Sequence, residues 1–258
     1  MNQPISKADY LKTRAGAFTI HSVILGDSGR SGPTFVLVHG LGMSSRYMMP
    51  TAKLLAGYGR VHVPDLPGFG KSEKPGRTLS IAELADALDE WLRARRISEP
   101  ILIGNSLGAQ VIADYAARHP QRLTCAVLVA PTIDPEARFI STQVLRLLRD
   151  LPREPVALYW IGFGDYLRAG WVTIFETLQG AVAHPISETL TLIRKPVLLI
   201  RGGRDPIVPQ SWMEAAARLI PAVEFVVFPR AAHAVNFNAP EALVTEVLKF
   251  LAKHAAAG

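Results

Sequence analysis

The chain has 258 residues, 49% of them hydrophobic and 19% charged, which is enough apolar material for a large buried core and argues against disorder. Its apolar runs, such as residues 35–38 and 197–200, are far too short to span a bilayer, so no membrane partner is expected. The formal charge of +6 raises nucleic-acid binding as a question. The basic residues are dispersed, however, and the densest stretch, Arg93-Ala94-Arg95-Arg96, closes a predicted helix, where cations suit the helix dipole. No nucleic-acid partner is therefore expected. Residues 1–10 lack a basic region followed by an apolar one, which predicts a cytoplasmic protein. The single cysteine, Cys125, sits beside the apolar run 126–129 and reads as a buried strand thiol.

In chain order, short β-branched runs alternate with helical patterns. Residues 23–25 belong to an early strand or hairpin, and strands are predicted at 35–38 before His39-Gly40 and at 60–64 before Asp65. Ser80-Ile81-Ala82-Glu83 is a capping box, and Ile81, Leu84, Leu88 and Trp91 then recur at helical spacing. A strand at 101–103 runs into Gly104, and a helix starts near Ser106 and stops before Pro120. Further strands are predicted at 126–129, 197–200 and 224–228, with helices at 211–220 and 240–252. Continuous apolar strands alternating with helices predict an α/β fold, a mostly parallel sheet with helices on both faces.

Residues 131–195 break this rhythm. No strand is evident there, 143–151 and 187–193 look helical, and Tyr159, Trp160, Phe163, Tyr166, Trp171 and Phe175 gather in between. A structureless loop of that length would be unusual. The expected organisation is a core of residues 1–131 and 195–258, with 132–194 inserted as a helical lid. The lid aromatics are expected to roof the site and to favour small apolar or aromatic substrates.

Gly104-Asn105-Ser106-Leu107-Gly108 matches G-x-S-x-G between a strand and a helix. A nucleophile on so sharp a turn has a strained backbone, and its neighbours two residues away must lack bulk. The helix N-terminus then lets the Leu107 N–H stabilise negative charge. A serine hydroxyl needs a base, and the base needs an orienting acid. Asp205 follows the 197–200 strand on a glycine-rich loop, and His233 follows the 224–228 strand. Both fall on the edge of a parallel sheet that carries Ser106, so Ser106, Asp205 and His233 form the expected triad. Asp134, after the preceding strand, is the alternative acid. His39-Gly40-Leu41-Gly42 ends another strand, so the Leu41 N–H is the expected second oxyanion donor, with His39 tying down the loop. Gly68-Phe69-Gly70-Lys71-Ser72 is not a phosphate loop, because the position that loop requires to be glycine is Asp65. No cluster of His, Cys, Asp or Glu has metal-ligand spacing, so no metal is expected.

Together, His39-Gly40-Leu41-Gly42, residues 65–72, Gly104 to Gly108, residues 201–209 and residues 233–240 resemble the α/β-hydrolase family, in family order and over nearly the whole chain. The resemblance implies an eight-stranded sheet, a lid between strands six and seven, no cofactor and an acyl-enzyme intermediate. Ser…Asp…His is the family's triad order. It implies cleavage of an ester, thioester or lactone of a small molecule. Asn105 before the serine is similar to enzymes that cut a C–C bond in ring-fission (meta-cleavage) products, which stands as an alternative. A non-catalytic ligand-binding protein of the same fold is another.

Overall fold

The computed structural model describes residues 8–27 and 32–255. Most of the segment on which the cytoplasmic expectation rests, residues 1–7, lies outside the described residues. Eight strands form one sheet in the order β1-β2-β4-β3-β5-β6-β7-β8. They are β1 (Asp9–Ala15), β2 (Phe18–Leu25), β3 (Thr34–Val38), β4 (Arg60–Pro64), β5 (Ile101–Asn105), β6 (Cys125–Val129), β7 (Val197–Gly202) and β8 (Val223–Phe228). β1 pairs antiparallel with β2 and β2 antiparallel with β4, while every pairing from β4 to β8 is parallel.

Side-chain alternation along the central strands builds a core on each face. Val36, Leu102 and Ala126 point to one side, where they meet Trp91 of α2 (Ile81–Ala94) and Tyr115 of α3 (Leu107–Arg118). Phe35, Ile103 and Val127 point to the other, against Met48 of α1 (Ser45–Leu55) and Val247 and Phe250 of α10 (Pro240–Ala255). Burial on both faces explains why these strands are apolar without interruption. The capping box at Ser80 is present, with its hydroxyl accepting from the Glu83 N–H and the Glu83 carboxylate accepting from the Ser80 N–H.

β1 and α1 are among the elements that exceed the sequence expectation. β1 is an edge strand with mostly exposed side chains, so it lacks the apolar run that marks the inner strands. α1 holds Pro50 inside it, a residue that normally breaks a helix pattern, and is started by a Ser44 side chain that accepts from the Arg46 N–H.

Between β6 and β7 lie α4 (Ile140–Asp150), α5 (Val156–Ala169), α6 (Trp171–Ala183) and α7 (Ile186–Thr191). The remaining helices are α8 (Gln210–Leu219) and the single turn α9 (Val235–Asn238). Among the described residues, no helix is long and apolar enough to cross a membrane.

Candidate active site

Parallel pairing puts the C-terminal ends of β3, β5, β6 and β7 on one edge of the sheet. The loops leaving that edge, together with the loop after β8, carry the chemistry.

Ser106 follows β5 directly and caps α3 with φ 57° and ψ −119°, a conformation that costs free energy in any residue with a side chain. Its N–H donates to the Val129 carbonyl at 2.9 Å, and its own carbonyl accepts from Ala109 and Gln110. The turn closes only because its flanks are bare. A Cβ at Gly104 would run into the Gly108 backbone, and one at Gly108 into the carbonyls of Val38 and His39. The Ser106 side chain is half-buried at the N-terminus of α3, beside the Leu107 N–H.

His233 Nδ1 lies 2.8 Å from Asp205 Oδ2. The other Asp205 oxygen accepts from the N–H groups of Ile207 at 2.7 Å and Val208 at 3.0 Å. Arg201 fastens the same loop by donating to the Asp205 and Val208 carbonyls. Asp134 is placed elsewhere. Its carboxylate takes the Arg146 guanidinium at 3.0 Å and the Glu136 N–H, so it is committed to the start of the inserted segment. The structure therefore brings Asp205, not Asp134, to His233.

Leu41 stands on the loop after β3. His39 holds that loop through both ring nitrogens, with Nδ1–H donating to the Gly40 carbonyl and Nε2 accepting from the Leu66 N–H, each at 2.9 Å. Burial pushes the His39 pKa down, so it stays neutral in this role. Asp65 fills the centre of the glycine-rich stretch instead of a phosphate. It accepts from His21 and from the N–H groups of Ser45 and Lys71. Burial opposes its charge, yet these donors hold the carboxyl below its usual range.

A second set of residues adjoins the site, and of it the sequence singled out only Asn105 and, as a lid aromatic, Tyr166. Asn105 donates to the His233 carbonyl at 3.1 Å and accepts from the Tyr47 hydroxyl at 2.7 Å, tying β5 to the histidine loop and to α1. Glu154, from the inserted segment, accepts from the Ala234 N–H at 2.7 Å and from Asn238 Nδ2 at 2.9 Å. Asp150 is buried nearby, its Oδ1 without a hydrogen-bond partner among the described residues. On the other side of the site, Ser44 donates to Asp165 of α5 at 2.6 Å, and the Tyr166 ring packs on Gly42. Asp150, Glu154 and Asp165 are lone acids with no local motif, which is why spacing arguments did not find them.

The carboxylates set the electrostatics. Burial alone would lower the His233 pKa, but Asp205, Asp150 and Glu154 outweigh it and raise the imidazole to about 9. Burial raises Asp150 to about 7, helped by Glu154 and Asp205 and opposed by His233. Burial also pushes the Cys125 thiol up to about 12, which leaves it inert at neutral pH.

The expected aromatic roof is largely absent. Trp160, Phe163, Trp171 and Phe175 are exposed, whereas the Tyr166 ring reaches Gly42 on the loop beside the site. Helical packing explains the difference, because α5 turns Leu158, Ile161, Tyr166 and Ala169 to the core and Val156, Trp160, Phe163 and Leu167 away.

Comparison with known proteins agrees with this architecture. The chain is 28% identical over 257 residues to the dihydrolipoyllysine-residue acetyltransferase component of the acetoin cleaving system from Pseudomonas putida, covering 88% of this chain and 65% of that protein. It is 31% identical over 131 residues to a 1-acylglycerol-3-phosphate O-acyltransferase from Arabidopsis thaliana, covering 49% of this chain and 31% of that one. The chain thus spans between about a third and two thirds of the length of these relatives. The enol-lactonase from Burkholderia xenovorans LB400 superposes with a TM-score of 0.83 at 23% identity, over 94% of this chain and all of that one. The model of the alpha/beta hydrolase family matches residues 35–246, and the chain belongs to that family.

Proposed function

We propose that the protein is a serine hydrolase that cleaves a carboxylic ester, thioester or lactone of a small molecule through an acyl-enzyme. One observation carries this reading. A histidine paired at 2.8 Å with a buried aspartate stands on the same sheet edge as a serine held at φ 57° on a helix N-terminus.

In this mechanism Ser106 Oγ attacks the carbonyl carbon while His233 Nε2 takes its proton. Asp205 fixes the imidazole through Nδ1 and stabilises the imidazolium. The N–H groups of Leu41 and Leu107 donate to the oxyanion. The tetrahedral intermediate collapses as His233 protonates the leaving oxygen or sulfur. A water deprotonated by His233 then attacks the acyl-enzyme, and Ser106 recovers its proton. The enol-lactonase among the structural relatives fits this reading, since a lactone is a cyclic ester.

Residues 132–194 act as a lid in this account, since Asp165, Tyr166 and Glu154 reach the loops that bear Leu41 and His233. A ring-fission product carries a carboxylate and calls for an inward cation. Arg146 is bound to Asp134, while Arg138, Arg149 and Arg153 are exposed, which favours the ester over C–C cleavage. The test is covalent labelling by a fluorophosphonate probe, which requires an activated serine. Labelling of the wild type and none of Ser106→Ala is expected, and an unlabelled, folded wild type overturns the proposal.

A further inference from the structure

The outer faces of α4, α5 and α6 carry apolar side chains that nothing else among the described residues covers. α5 makes the point most plainly. Leu158, Ile161 and Tyr166 pack inward, yet Val156, Trp160, Phe163 and Leu167 form a second stripe at helical spacing that faces solvent, with Trp160 73% exposed. A helix with an apolar stripe on its outer face as well as its inner one calls for an apolar environment on both. α6 packs against both α4 and α5 and adds Trp171 and Phe175. Monomeric soluble proteins rarely leave so much contiguous apolar surface uncovered.

Charge distinguishes the occupant. Elsewhere in the fold some exposed arginines, such as Arg14, Arg77 and Arg93, are paired with acids, and others, such as Arg96, Arg204 and Arg218, have no acidic partner among the described residues. Arg138, Arg149, Arg153 and Arg168, on or beside the same three helices, are exposed, and among the described residues none has an acidic partner. Exposed acids are sparse there, and one of them, Glu176, is bonded to Thr78. A second copy docked on this face would bring four unpaired arginines towards four more, on chains that each carry +6. A phosphate-bearing surface would satisfy them. Tryptophan and phenylalanine beside unpaired arginine is the composition of a face that lies in a bilayer's headgroup region.

We propose that the outer face of α4–α6 is a peripheral docking surface for an anionic lipid bilayer, with Trp160, Phe163 and Trp171 entering below the headgroups and the arginines meeting lipid phosphates. The absence of long apolar runs excludes spanning, not lying on the surface.

Cosedimentation with vesicles tests this, using phosphatidylcholine alone and an equimolar mixture with phosphatidylglycerol. Binding to the mixed vesicles, weakened by salt, with little binding to phosphatidylcholine alone, is expected. Trp160→Asp with Phe163→Asp should weaken partitioning at least about tenfold, as should Arg149→Gln with Arg153→Gln. Both double variants should retain the wild-type circular dichroism spectrum and the wild-type rate on a short, water-soluble ester. Equal or no binding to the two vesicle types overturns the proposal, as does wild-type binding by the aspartate variant. Sedimentation equilibrium supplies the remaining outcome, because a dimer dissociated by that variant assigns the face to a second copy. Ser106→Ala should bind vesicles like the wild type, so failure of the serine mechanism and failure of the docking surface are read separately.

Discussion

Ser106, Asp205 and His233 stand on short loops fixed by backbone hydrogen bonds and close glycine contacts, whereas α4–α6 are joined to those loops by a few side chains. In the first region each reacting atom is positioned by several independent constraints. Asp205 alone accepts from two backbone N–H groups and faces His233. In the second, Asp165 and Glu154 hold the inserted helices near the oxyanion loop and the histidine loop, and the outer surface of the same helices remains apolar and open. The contrast separates what makes bonds react from what decides access and placement. It also predicts a graded response to substitution.

The steepest effect should come from the nucleophile. Ser106→Ala should lower ester turnover on the order of 10⁶-fold with no loss of thermal stability. Comparable turnover in a folded variant would remove the serine from the mechanism. Next comes the orienting acid. Asp205→Asn should cost about 10⁴ in kcat, and Asp134→Asn, which only loosens Arg146, far less. If the order reverses, the acid belongs to the loop after β6.

Breaking the ties of the insertion should matter less. Asp165→Ala leaves Ser44 without its buried acceptor and frees α5 from the loop bearing Leu41. A fall of about 10- to 100-fold in kcat/KM is expected from the misplaced donor, with a lower melting temperature. Unchanged kcat/KM would mean that the insertion does not align the site.

The two regions also meet electrostatically at His233. Only the neutral imidazole accepts the serine proton, and with its pKa raised to about 9 the rate should climb with pH on the alkaline side of the ordinary histidine range. Asp150 ionises near pH 7, so above that pH its charge favours the imidazolium. Asp150→Asn should then move the midpoint of the kcat/KM profile down by up to about one unit. Glu154→Gln should act in the same direction, since its charge also favours the imidazolium. Profiles that superpose on the wild type would show that the inserted carboxyls do not tune the base. The smallest effect concerns Cys125, whose thiol should resist a soluble thiol reagent until the protein is unfolded. Rapid modification of the native chain would contradict its burial in β6.

Sequence alone determined the inner sheet and the segments placed on its edge. Strands buried on both faces must be continuously apolar, so residues 35–38, 101–103, 126–129 and 197–200 announced themselves. Gly104 and Gly108 were equally legible, because a Cβ at either would collide with backbone and the requirement is local. Tertiary structure decided the rest. Asp205 and Asp134 both follow a strand, and only the path of the Ile207–Val208 backbone against one, and of Arg146 against the other, separates them. Asp150, Glu154 and Asp165 lie 83, 79 and 68 residues before His233 and gain their roles only when the insertion folds back over it. The aromatics of α5 and α6 show the same limit. Composition announces that Trp160, Phe163 and Trp171 are apolar, but the side they present depends on how a helix apolar on both faces packs against the core, and packing turned them outward.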